Sequence, residues 1–190
     1  MTHTSKVQVI IGSTRVRRIC PAIAAWVAGV GREILPCEVE LVDLKDWPLP
    51  MDDEPEVPAR GVYANAHTRA WSAKIAEGAA YVLVSPQYNW GYPAPLKNAL
   101  DHLYQEWTGK PVMIVTYGSH GGGRCAAQLR QVLEGLRMKP IAAMPGLKLA
   151  QEAIIANTGL ITPAEAFAEQ LNEVRGAFEE LKAALANQRA

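Results

Sequence analysis

Apolar positions along this chain switch between two spacings, and the switches mark its elements. Val7 to Ile11 is a short β-branched run closed by Gly12, which predicts a buried strand. Ile19, Ile23, Trp26, Val27 and Val30 then recur at helical spacing, with Gly31 as the stop. Glu38 to Leu44 carries Val39, Leu41 and Val42 in a second strand. The stretch "KDWPLPMDDEPEVPARG" (45–61) is rich in Pro and acid and reads as an exposed loop. A helix near 65–77 leads into a third strand at 80–85. From Pro95, Leu96, Leu100, Leu103 and Trp107 predict an amphipathic helix ended by Gly109, and Pro111 to Tyr117 is a fourth strand. Glycine-rich residues 118–123 precede a helix through Leu129, Val132, Leu133 and Leu136. A fifth strand lies within 139–150, where Pro and Gly are scattered. Thr162 and Glu165 form a capping box with Pro163 in the first turn. Phe167, Leu171, Val174, Phe178, Leu181 and Leu185 follow as a stripe, facing the core or, in a second reading, a dimer seam.

Strands that alternate with helices imply a parallel sheet covered on both faces. Such sheets bind ligands at the carboxyl ends of their strands, where strand order reverses. That directs attention to loops 12–19, 86–94 and 118–124, within one domain spanning 1–190.

Composition narrows the classes. The 190 residues are 49% hydrophobic and 20% charged, with 19 basic side chains against 19 acidic ones. That balance argues against a nucleic-acid binder. No apolar run has the length of a membrane span, the start from Met1 to Lys6 is polar, and Val7 to Ile11 is too short for a signal-peptide core. Three scattered cysteines, Cys20, Cys37 and Cys125, suit a reducing cytoplasm. There is no CxxC, and the histidines at 3, 67, 102 and 120 lack zinc-ligand spacing, so no metal site is expected.

The first loop, "GSTRVRR" (Gly12 to Arg18), runs into a helix start, where free N–H groups, hydroxyls and arginines suit a terminal phosphate. A helix start with solvated arginines has the same sequence. The second, "SPQYNWGYP" (85–93), is aromatic, stiffened by proline and free of charge. It offers flat surface and backbone polarity to a planar heterocycle, or packs as an aromatic turn on a helix or another subunit. The third, "YGSHGGGRC" (117–125), lets backbone approach a ligand's polar edge, with His120 alongside, or is a flexible turn with a surface histidine. A phosphate, a flat ring and a polar ring edge together describe flavin mononucleotide. A flavodoxin-like sheet of order 2-1-3-4-5 binds FMN at this switch point.

"GSTRxxR", "PQYNWGYPAPLKNALDHLYxEW" and "YGSHGG" together resemble the NAD(P)H-dependent FMN reductases of the flavodoxin-like fold, a family that includes quinone, azo-dye and chromate reductases. The resemblance covers 7–140 closely and the remainder loosely. It implies that Ser13, Arg15 and Arg18 hold the FMN phosphate, with Arg17 a weaker candidate. Pro86, Gln87, Tyr88 and Asn89 would line the isoalloxazine and ribityl chain. Gly118, Ser119, His120 and Gly121 would face the pyrimidine end. Relatives often carry Glu in place of Gln87 and Ser in place of Arg18, which suggests a sub-branch. The resemblance also implies a homodimer or tetramer through the 95–107 helix, where Lys97 and Asp101 equally suit a local ion pair. Trp90 or Trp107 is a candidate to reach the partner's flavin. NADPH or NADH would pass hydride to flavin N5, and an acceptor would follow at the same site in ping-pong order. Two other classes are an electron carrier of flavodoxin type and a non-enzymatic interaction protein. Cys20, beside two arginines near a helix start, is a packing residue or a redox-sensing thiol.

Overall fold

The computed structural model describes residues 6–51 and 53–188. The polar start Met1–Ser5, including His3, and Asp52 of the acidic loop lie outside them. β1 (Lys6–Ile11), β3 (Gly78–Pro86) and β4 (Pro111–Gly118) form the centre of the sheet, with β2 (Glu38–Asp43) at one edge. All neighbours pair in parallel, in the expected order 2-1-3-4-5.

Period-2 alternation splits the core into two layers. Val7, Val9 and Ile11, Val82 and Val84, and Met113 and Val115 bury against α1 (Cys20–Ile34) and α7 (Leu171–Asn187). Ile10, Tyr81, Leu83, Val112 and Ile114 point the other way. They meet α2 (Ala66–Ala76), α3 (Ala94–Asp101) and α4 (Gly123–Gly135). Because both faces are covered, the central strands are mostly apolar, with Gln8, Ser85 and Thr116 as buried polar exceptions, which is why short runs marked them in the sequence. No helix among the described residues is long and apolar enough to cross a membrane.

The fifth strand arrives in two pieces, β5 (Lys139–Pro140) and β6 (Gly146–Lys148), both beside β4. Between them the N–H groups of Ala142 and Ala143 turn to the Glu180 carboxylate, at 2.6 and 3.0 Å. Pro140 and Pro145 have no N–H to offer the ladder.

Three helix boundaries differ from the pattern-based expectation. α1 runs past Gly31 to Ile34. A Cβ on Gly31 would stand 2.8 Å from the Phe178 ring, so this glycine admits α7 rather than stopping α1. α3 ends at Asp101, although Leu103 and Trp107 remain buried through the turns that follow. The Thr162 capping box does not form: the Glu165 N–H bonds the Thr162 main-chain carbonyl at 3.1 Å. Two short helices, α5 (Gln151–Ala156) and α6 (Pro163–Ala166), precede α7. Phe167 sits buried at the break after α6, its ring 5.9 Å from that of Trp26. Val174, Phe178, Leu181 and Leu185 face the core, so the stripe is not a dimer seam.

Candidate functional site

The carboxyl ends of β1, β3 and β4 share one edge of the sheet, and the three loops leave from it. Gly12 still donates to the Val84 carbonyl at 2.9 Å, so the first loop departs only at Ser13. Ser13 is buried, its Oγ 3.1 Å from the Tyr88 phenol oxygen. Arg18 does not reach into solvent. Its two terminal nitrogens donate to the two oxygens of Asp43 at 2.6 Å each, and Nη1 also donates to the Ser13 carbonyl at 2.5 Å. Burial alone would raise the Asp43 pKa, but hydrogen bonds from Arg18 and the Lys45 N–H win and hold it below its usual 3.8. Arg15 and Arg17 are exposed, and the Arg15 guanidinium lies 5.3 Å from the Tyr88 ring centre.

The second loop closes on itself. Tyr88 and Gly91 exchange two N–H···O bonds of 2.9 Å around Asn89 (φ 48°) and Trp90 (φ 72°). A two-residue turn with both central residues left-handed matches the twist of the chain and normally selects glycine or asparagine. A tryptophan there stores backbone strain on the order of 1–3 kcal/mol. The Arg124 guanidinium stacks 3.6 Å from the Trp90 ring centre. Gln87 links this loop to the third one: its Oε1 accepts from the Cys125 N–H at 3.1 Å. That bond caps α4, whose own N-cap residue, Gly122, has no side chain to offer.

The third loop turns tightly through Gly121 (φ 74°) and Gly122 (φ 81°). A Cβ at Gly122 would lie 2.8 Å from the Thr116 Cβ, and the Thr116 hydroxyl donates to the Gly121 carbonyl at 2.8 Å. Ser119 Oγ and His120 Nδ1 are 3.0 Å apart and exposed.

Two adjoining cavities of about 580 Å³ each open here. Arg15, Gln87 and Tyr88 line both. Arg17, Arg18, Pro86, Gly118 and Ser119 line one, and Ser13, Thr14 and Asn89 the other. His120 and Gly121 line neither: His120 is exposed and Gly121 is buried beneath the turn. Tyr117, Leu149 and the stretch from Ala153 to Ile161 also wall the first cavity, which sequence reasoning missed. The signal was present, since Ile154, Ile155 and Leu160 belonged to no predicted element. Neither lining includes an Asp or Glu among the described residues. Cations and hydroxyls, the Tyr88 ring shared by both cavities, and the start of the third loop at Gly118 and Ser119 fit FMN, a phosphorylated planar heterocycle.

Two other expectations meet the structure differently. Cys20 is fully buried with its Sγ donating to the Val84 carbonyl at 3.4 Å, and burial pushes its pKa up to about 11. Its arginine neighbours do not offset that, so it is a packing residue rather than a reactive thiol. Trp107 is buried against Tyr81 and Trp71, so it does not extend toward a second subunit. Trp90 is 61% exposed.

A family model described as NADPH-dependent FMN reductase matches residues 5–150. The chain is 51% identical over 179 residues to an NAD(P)H-dependent FMN reductase of Schizosaccharomyces pombe, covering 93% of this chain and 88% of that one. It is 45% identical over 150 residues to one of Saccharomyces cerevisiae, covering 73% and 78%. Among solved structures, the FMN complex of an FMN-dependent NADH-azoreductase from Bacillus anthracis shares the fold. The TM-score is 0.59 at 15% identity, over 94% of this chain and 100% of that one.

Proposed function

The chain belongs to the NADPH-dependent FMN reductase family, and from that premise we propose that it is an FMN-holding oxidoreductase. It takes reducing equivalents from NADPH or NADH and passes them to a small acceptor: a quinone, an azo compound, a metal oxyanion or free flavin. The observation that carries this reading is the convergence of three strand-end loops on cavities lined by cations, an aromatic ring and glycine backbone, without a carboxylate among the described residues.

When bound, FMN supplies hydride acceptance from the nicotinamide and electron delivery to the acceptor. The chain's own residues bind and orient. Ser13, Thr14 and Arg15 hold the phosphate, with Arg17 close by. Arg18 positions that loop through Asp43. Pro86, Gln87, Tyr88 and Asn89 line the ring and ribityl chain. Gly118 and Ser119 meet the pyrimidine edge, while Gly121 shapes the turn and His120 stands outside it. Ile154, Ile155 and Leu160, apolar and exposed, line one side of the first cavity. Among the described residues, no lining carboxylate or histidine is placed to move a proton. Donor and acceptor use the same opening in turn, which gives parallel double-reciprocal lines. The exposed Arg17, which the FMN phosphate leaves free, favours NADPH by offering its 2′-phosphate a cationic partner.

The working unit is a cytoplasmic homodimer formed across the outer side of α3. There Lys97 and Asp101 pair and remain nearly half exposed. The decisive test is the absorbance spectrum of the purified protein after FMN addition, followed by anaerobic NADPH. Flavin bands that bleach with NADPH are expected. A protein that takes up no FMN overturns the reading, and FMN uptake without NAD(P)H oxidation reduces it to an electron carrier.

A further inference from the structure

We propose that Asp53, His67 and His102 form a binding site for a divalent transition-metal ion of the zinc type, remote in function from the flavin site. The three residues come from different parts of the chain. Asp53 lies in the loop after β2, His67 on α2, and His102 directly after α3. Folding brings one ligand atom from each within 4.8 Å of the others. Zinc bonds of about 2.0–2.1 Å place tetrahedral ligand atoms roughly 3.4 Å apart. His67 Nε2 and Asp53 Oδ1 are already 3.0 Å apart, so closure needs only small side-chain movements.

The proton inventory of His102 fits a ligand, whereas His67 Nε2, which donates to Asp53 Oδ1, gives up its proton when an ion replaces that bond. His102 Nε2 lies 2.8 Å from the Pro50 carbonyl, which can only accept, so Nε2 carries the proton. In the neutral ring Nδ1 then presents its lone pair. A backbone carbonyl holding the far N–H of a histidine is the usual outer support of a metal-bound imidazole. His102 is only 3% exposed, and its ring stands edge-on to that of His67 at 6.0 Å. The loop side is also braced, since Asn98 Nδ2 donates to the carbonyls of Leu49 and Pro50 at 3.1 and 3.0 Å. Thr68 Oγ1 is 3.3 Å from His102 Nδ1 and has the Glu54 carboxylate as another partner, so its hydroxyl can turn aside. The His67 and Asp53 side chains are 32% and 38% exposed, which leaves a solvent side for entry and a water ligand. Two imidazoles and one carboxylate favour zinc, cobalt, nickel or copper over magnesium or calcium.

This departs from the sequence-based expectation, because no two of these residues have metal-ligand spacing in the chain. A bound ion ties loop 45–61 to the ends of α2 and α3, and by mass action it stabilises the folded protein. The test is calorimetric titration of the full-length, FMN-loaded protein with zinc chloride, alongside His67→Ala and Asp53→Asn. Both substitutions are at accessible side chains, and a metal-free Tm close to that of the parent shows that each folds; buried His102 is left intact. One zinc per chain is expected, with affinity at least about tenfold lower in each variant and a zinc-induced Tm rise confined to the parent protein. No zinc uptake, or uptake equally strong in both variants, overturns the assignment.

Discussion

The loops after β1 and β3 flank the same cavities and are held by opposite means. The β3 loop carries no charge and fixes itself through the reciprocal Tyr88–Gly91 bonds and two left-handed residues. The β1 loop carries three arginines, yet its shape depends on Asp43, at the end of a different strand. A charged residue in a ligand loop is therefore not automatically a ligand residue. Arg18 is the most tightly bound of the three, and its partner is the protein.

The largest test of that contrast is Arg18→Ala. It strands Asp43, whose side chain is only 20% exposed. Losing one partner of a buried pair costs about 3 kcal/mol, and FMN affinity should fall with it. Arg15→Ala should do the reverse, weakening FMN binding while stability stays within about 0.5 kcal/mol. Denaturant melts and FMN titrations separate the two. An Arg18→Ala protein with a normal melt and poor FMN binding would make Arg18 a direct phosphate ligand instead.

Acid titration gives the next effect. The Asp43 pKa is depressed in the folded state. Its stabilising contribution is complete above the unfolded value of about 3.9 and is lost as pH falls through the folded one. Denaturation midpoints measured from neutral pH down to pH 3 and below should show that acid limb, and Asp43→Asn should flatten it.

On the β3 side, Trp90→Ala removes the Arg124 stacking and keeps a side chain at φ 72°. Trp90→Gly removes the same contact and also relieves the backbone. The glycine variant should be the more stable by about 1 kcal/mol in thermal melts. Equal melts would mean the turn is not strained. The smallest effect belongs to Asp101→Asn, which breaks an exposed i,i+4 pair with Lys97. It should shift stability by a few tenths of a kcal/mol, read as a small change in the urea midpoint. A larger loss that depends on protein concentration would place α3 in a subunit interface.

Much of the fold was legible because parallel strands covered on both faces leave short apolar runs, and helices between them change the period. The clustering of the three candidate loops was legible for the same reason, since strand–loop–helix order alone places them at one sheet edge. Local chemistry misled where a partner from elsewhere decided the outcome. Gly31 looked like a helix stop, but the Phe178 ring of α7 explains it. Thr162 and Glu165 looked like a capping box, but the chain tightens there to bury Phe167.

The sequence by itself determined the order of the elements as far as α4, the parallel topology, the two-faced core and the sheet edge from which the candidate loops leave. These depend on spacing along the chain and on backbone chemistry at prolines and glycines. Only the tertiary structure decided that Arg18 answers Asp43, that Gln87 caps α4, that residues between 153 and 161 line the cavity and that His67 and His102 approach Asp53. Each of these is a side-chain contact between distant segments. Its direction follows from which surfaces the packed helices leave facing one another, and periodicity does not encode that.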